Sequence, residues 1–324
     1  GEWVMLTPCA PSLGELGALD FDGVGGVYVA GNDCVDATPL RRSVDAGANW
    51  ETVGTFCDGG ILGFTAISGS LSISHADPAF MYATGDNGSR GIACRSLDGG
   101  VSWTSAGTTA VGESFYDAQA SQTTANDVLR AFHSTSFQDH WVDRSTNAGT
   151  SWTFRFVVAN THAPCCLRRS PSNPAVVYFA TAGTLHKSVD HGFSWVQLAA
   201  SFPTHETLEV DPNDPDIVYL GTSQGLYRST NGGLTWSHRS SGLLLRGIIA
   251  IAINPSSPNE MLAAPPDSRV YLTRSAGNRW TTAGQGITSG DAFNEPAISG
   301  ADPDLYFIPG GGNLYRSRDR GLTW

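Results

Sequence analysis

One eight-residue phrase returns along this chain often enough to dictate its architecture. It reads S-V-D-A-G-A-N-W at Ser43–Trp50 and S-L-D-G-G-V-S-W at Ser96–Trp103. It comes back as S-T-N-A-G-T-S-W at Ser145–Trp152, S-V-D-H-G-F-S-W at Ser188–Trp195 and S-T-N-G-G-L-T-W at Ser229–Trp236. A shortened S-A-G-N-R-W at Ser275–Trp280 and S-R-D-R-G-L-T-W at Ser317–Trp324 complete seven copies. The tryptophans that close the copies are 53, 49, 43, 41, 44 and 44 residues apart. A period of that size marks an array of equivalent supersecondary units.

Each copy predicts a tight turn between two strands. The Asp or Asn side chain accepts N–H bonds from residues just ahead of it, the Gly supplies a positive φ, and the Trp starts the next strand with its ring against the turn. Upstream of the phrase lie alternating apolar runs such as Val176–Phe179 and Ile217–Leu220, which read as strands. About four short strands per unit is the content of one propeller blade. The expected fold is therefore all-β: a single seven-bladed β-propeller of four-stranded blades covering residues 1–324. The segment Trp3–Leu6 (W-V-M-L) resembles the strand after a box, as in Trp195–Leu198. A strand within residues 1–8 is thus expected to complete the last blade, residues 285–324, and close the ring.

The phrase S-x-D-x-G-x-x-W resembles the Asp-box, or BNR repeat, of sialidases, Vps10 domains, xyloglucan-cleaving glycosidases and photosystem II assembly factors. The resemblance implies a box on the turn between the third and fourth strands of each blade, away from the ligand face. It stops short of any one family. Sialidases have six blades, an R-I-P segment and a clamp of three arginines, whereas most arginines here precede the box Ser, as at Arg42, Arg95, Arg144, Arg228, Arg274 and Arg316. Their recurrence in blade after blade points to a structural role. Xyloglucan-cleaving enzymes pair two propellers, and Vps10 domains carry a further cysteine-rich module.

A formal net charge of −11, with Lys187 the only lysine, argues against a nucleic-acid partner. An anionic polymer would need a local cluster such as Arg168 and Arg169. No apolar stretch reaches the length of a membrane span, so no membrane insertion is expected. The six cysteines, Cys9, Cys34, Cys57, Cys94, Cys165 and Cys166, form no C-x-x-C pair. Disulfides are expected, with the first four in loops of neighbouring blades, and hence an exported protein: secreted, periplasmic or at the cell surface. The connectivity stays open.

In a propeller, the loops at the end opposite the boxes gather on one face. Those joining the second and third strands are long in blades 1 to 3, as in Gly31–Pro39, Gly85–Gly91 and His133–Trp141, and short in blades 4 to 7. The candidate site over blades 1 to 4 combines Asp58, Asp86, Glu113, Tyr116, Asp117, His133, Asp139, His140, Trp141, His162, His205 and Glu206. Carboxylates, imidazoles and aromatic rings suit either sugar binding or acid/base chemistry. The histidine spacings match no metal motif, so neither metal nor cofactor is expected. No serine or cysteine nucleophile sits in a recognisable elbow. The leading expectation is an exported, monomeric propeller that binds a carbohydrate or protein ligand. The alternatives are a glycan-degrading hydrolase or lyase at the same face, and an assembly scaffold.

Overall fold

The computed structural model describes residues 16–31, 39–57, 70–86, 89–134, 139–159, 164–181, 183–198, 204–244, 247–265, 269–287, 295–310 and 313–324. These residues form seven antiparallel sheets in chain order, the blades of a β-propeller. Blade 1 holds Leu16–Phe21, Val27–Gly31, Pro39–Ser43 and Glu51–Thr55; blade 2 holds Ser70–Ile73, Met81–Asp86, Gly91–Ser96 and Thr104–Thr108. Blade 3 holds Glu113–Ala120, Val128–Ser134, Asp139–Ser145 and Thr153–Ala159. Blade 4 holds Pro164–Arg169, Val177–Thr181, Thr184–Ser188 and Val196–Leu198; blade 5 holds His205–Val210, Val218–Thr222, Gly225–Ser229 and Ser237–His238. Blade 6 holds Ala250–Ile253, Met261–Ala264, Val270–Thr273 and Thr281–Ala283. In blade 7 the described strands are Ala297–Ile298, Tyr306–Gly310 and Asn313–Ser317; the segment expected to add a fourth, residues 1–8, lies outside the described residues. No helix among the described residues is long and apolar enough to cross a membrane.

Two compact units divide the chain, Gly1–Ala159 with Pro309–Leu314 and Asn160–Ile308 with Tyr315–Trp324. In the first, apolar faces of blades 1 and 2 meet around Tyr28, Leu40, Ile73, Met81 and Cys94, and those of blades 2 and 3 around Phe80, Tyr82, Phe115 and Val128. In the second, blades 4 and 5 meet around Tyr178, Leu185, Leu208 and Leu220, and blades 5 and 6 around Tyr219, Ile251, Met261 and Tyr271. Each fully buried aromatic of this kind contributes roughly 2–3 kcal/mol of burial free energy.

The phrase is the turn it predicts, with more bonds than its letters announce. In blade 2 the Asp98 Oδ1 accepts from Ser96 Oγ and Ser102 N, its Oδ2 accepts from Ser102 Oγ, and Ser96 Oγ accepts from Gly100 N. The Trp103 Nε1 then donates to Gly100 O at 2.9 Å. Both residues at the tip are left-handed in every copy, for example Ala46 and Gly47 at φ 58° and 77°, and Arg320 and Gly321 at 60° and 80°. The copy read as shortened is in fact complete. Thr273 Oγ1 accepts from Gly277 N in the place of the box Ser, and Ser275 Oγ accepts from Arg279 N in the place of the Asp. A hydroxyl can stand in at both places because each requires only an acceptor.

A second recurring turn joins the first two strands at the same end of blades 2, 4, 5, 6 and 7. Phe80, Val176, Ile217, Glu260 and Leu305 each donate N–H three residues back, to Asp77, Asn173, Asp214, Ser257 and Asp302. The carbonyl of the residue before each of them accepts from the tip of that blade's box, as in His191 N to Ala175 O and Gly232 N to Asp216 O. The two turns therefore support each other within one blade. Between blades, Trp152 Nε1 donates to Ala106 O and Trp280 Nε1 to Arg239 O instead of to their own turns. The disulfide Cys57–Cys94 also joins blade 1 to blade 2. Cys94 lies in a strand rather than the expected loop, because it fills the apolar face between those blades. Cys166 is disulfide-bonded as well; Cys9, Cys34 and the side chain of Cys165 lie outside the described residues.

Candidate functional site

The loop end of blade 3 gathers most of the predicted residues, and it does so with strands. Glu113, Tyr116 and Asp117 lie in the first strand, His133 in the second, and Asp139, His140 and Trp141 in the third. The sequence pattern places the first six of these in loops, and Trp141 either there or at the start of the third strand, where it lies. Their backbone groups find ladder partners, with Ser114 opposite His133 and His133 opposite His140, and this pairing extends the sheet through a polar sequence. One register row, Ser114, His133 and His140, shares a face, and the next row, Glu113, Ser134 and Asp139, occupies the other.

On the first face the His133 and His140 rings lie 4.9 Å apart. Burial lowers the pKa of His133, while the nearby Glu113 and Asp139 carboxylates pull the other way; the imidazole is neutral near pH 7. His140 is fully buried, and the Tyr116 ring meets it edge-on at 6.1 Å. Burial, aided by the Asp117 charge, pushes the Tyr116 phenol well above its usual range, so it is not poised to lose a proton. Asp117 is buried and accepts from Gln119 Nε2 at 3.1 Å. Trp141 is half-buried between Phe132, stacked at 5.9 Å, and Phe154, edge-on at 5.3 Å. It packs within the blade as a core aromatic of the third strand.

Two further carboxylates are held by the protein itself. Asp86, at the end of a blade 2 strand, accepts from Ser114 Oγ at 2.9 Å, and Glu113 Oε2 accepts from Ala110 N at 3.2 Å. Ser114 is the member of this cluster that sequence reasoning missed; its register opposite His133 is the signal that would have found it. Asp58 and His162 lie outside the described residues. Among the described residues, no three His, Cys, Asp or Glu groups are placed to hold a metal ion.

In the second unit, His205 and Glu206 open the first strand of blade 5 rather than a loop, paired with Val218–Thr222. Burial lowers His205 to about 4, against an opposing backbone hydrogen bond to Thr181. Glu206 is exposed, and the partial desolvation of its carboxyl raises its pKa. Of the two arginines considered for an anionic polymer, Arg168 is neutralised: it pairs with Glu209 at 2.8 Å and with Glu295. The length contrast between loops is also less clean than expected, since the connection from Ala264 to Val270 in blade 6 is as long as that from Asp86 to Gly91.

No protein-family model matches the chain, and no curated protein matches it in sequence. Solved structures do match. The GH74 xyloglucanase of Xanthomonas campestris superimposes with a TM-score of 0.75 at 14% identity, over 100% of this chain and 55% of that one. The GH74 enzyme of Niastella koreensis gives 0.74 at 14% identity, over 98% of this chain and 55% of the enzyme. This chain thus spans about half the length of either enzyme. YCF48 bound to a D1 peptide gives 0.69 at 17% identity, over 97% of this chain and 95% of that one. At these identities the likeness is one of fold, and by fold the chain is a seven-bladed β-propeller.

Proposed function

We propose that the protein is an exported propeller that binds a carbohydrate or protein ligand at the loop ends of blades 2 and 3, without turning it over. One observation carries this reading. Carboxylates and a neutral, half-buried imidazole share one strand end, yet Asp86 and Glu113 are already hydrogen-bonded within the protein. Such groups offer acceptors to the hydroxyls of a sugar or the amides of a peptide. A general acid would instead need a carboxyl kept protonated, and Tyr116 is buried too deeply to serve. The Cys57–Cys94 bridge supports work in an oxidising compartment.

The triple variant Glu113→Gln, His133→Ala, Asp139→Asn tests the reading. Retention on immobilised polysaccharides and on a peptide array is expected to fall at least tenfold against wild type, with the melting temperature unchanged. Unchanged retention would remove this site from the proposal. A second reading, glycan cleavage at the same place, draws support from the fold shared with the GH74 enzymes. Oligosaccharides released from the same panel by wild type, and not by the variant, would replace binding with cleavage.

A further inference from the structure

Blade 3 differs from the other blades at its outer edge. The fourth strand of each blade pairs with the third alone among the described residues, so its far side presents unpaired backbone groups. In most blades that strand is short: Glu51–Thr55, Thr104–Thr108, Val196–Leu198, Ser237–His238 and Thr281–Ala283. In blade 3 it is Thr153–Ala159, seven residues that read T-F-R-F-V-V-A. A register shift interrupts the pairing of the third and fourth strands in blades 1, 2 and 3, with Val53, Ala106 and Arg155 as the extra residues. Such a bulge blunts an edge. Beyond it, blade 1 keeps only Gly54 and Thr55 in the ladder and blade 2 only Gly107 and Thr108, whereas blade 3 runs on through residues 156–159. Those four residues hold no charge, proline or glycine, so nothing past the bulge protects the edge.

The side chains add a seat beside that edge. Asp143 stands opposite Phe154 and Trp141 opposite Val157. Trp141 and Asp143 are two residues apart, so Phe154 and Val157 share one face of the sheet. They stay 49% and 41% exposed, although the Trp141 ring meets Phe154 edge-on at 5.3 Å. An open strand edge flanked by open apolar side chains offers main-chain hydrogen bonds for affinity and a shallow apolar surface for selection.

Size and charge select the occupant. A strand of this length extends about 23 Å. Pairing along it buries roughly 500 Å² over both partners, well short of the roughly 1,200–2,000 Å² that holds two folded proteins together. A second copy would also bring up another body of net charge −11. A short uncharged peptide meets neither obstacle. We infer that the outer edge of blade 3 takes up an extended, uncharged peptide rich in β-branched or aromatic residues, which adds to the blade as a fifth strand beside Thr153–Ala159. Alternate side chains of the added strand lie against Phe154 and Val157. The inference does not rest on the loop-end site proposed above.

Hydrogen exchange of the whole protein, read by mass spectrometry with and without a millimolar blocked peptide of alternating valine and threonine, is the test. Exchange over residues 153–159 is expected to slow at least threefold. The same peptide with every amide N-methylated keeps its side chains, loses its donors and should give no protection. Val157→Lys puts a charge on the open face and should weaken binding at least tenfold with the melting temperature unchanged. The inference is overturned if wild type gains no protection, if the N-methylated peptide protects equally, or if Val157→Lys responds as wild type does. Concentration-dependent dimerisation of wild type without peptide, abolished by Val157→Lys, would overturn it in favour of a second copy.

Discussion

At each box tip a left-handed glycine follows a second left-handed residue. The glycine is plain in the sequence; the residue before it is not, because Ala46, Ala148, His191, Ala276 and Arg320 carry no mark of a positive φ. An L-residue held there costs roughly 1 kcal/mol. Ala46→Gly, at φ 58° and half-buried, is therefore expected to stabilise the protein by up to about 1 kcal/mol, read from chemical denaturation. The glycine itself has no such latitude. At Gly100, φ is 92° and an added Cβ would stand 2.4 Å from Leu40 Cδ2, so Gly100→Ala should cost about 2–3 kcal/mol. Equal stability of the two variants would contradict the tip geometry.

Within and between blades, much was legible and some was overlooked. The strand-turn-strand of every box could be read directly. The companion turn could have been read too, from D-P-A-F at Asp77–Phe80, N-P-A-V at Asn173–Val176 and D-P-D-I at Asp214–Ile217. The site was harder. Polar runs at Glu113–Asp117 and Asp139–Trp141 look like loops, because strand pairing at a sheet end depends on partners distant in sequence. The Cys57–Cys94 bridge spans a separation of 37 residues and staples blade 1 to blade 2. On chain-entropy grounds its loss costs up to about 3–4 kcal/mol. Cys57→Ser with Cys94→Ala should lower the melting temperature by several degrees, and reduction of wild type, which also opens the bridge at Cys166, should lower it by at least as much. No loss on either route would mean that packing alone holds these blades.

For the molecule as a whole, the buried imidazoles set the response to acid. Burial lowers His186 and His205 to about 4, whereas an unfolded chain takes up those protons near 6.5. Between these values the unfolded state binds more protons, so stability falls as the pH drops from about 6.5 to about 4. Hydrogen bonds from the Ser102 side chain, the Ser102 backbone and Ser96 hold Asp98 at about 2, so its contribution is complete above pH about 4 and is lost on acidification towards 2. Melting temperatures at pH 7, 5 and 3 should show two successive declines, and His205→Gln should flatten the first. A curve flat from pH 7 to 4.5 would show that these imidazoles are not desolvated.

The box in blade 5 also bears on how the protein ages. Its Asn231–Gly232 pair is the dipeptide most open to deamidation, in which the Gly amide nitrogen attacks the Asn carbonyl carbon, ammonia leaves, and water reopens the cyclic imide. Here Gly232 N donates to Asp216 O at 2.8 Å, Asn231 Nδ2 donates to Thr235 Oγ1 at 2.8 Å, and Asn231 Oδ1 accepts from Thr235 N at 2.9 Å. The attacking and attacked groups are tied to different partners, so the imide forms only when the turn comes apart. Peptide mapping after storage at pH 8 should find Asn231 intact in the native protein and converted in the denatured one, which makes this residue a chemical clock for local opening.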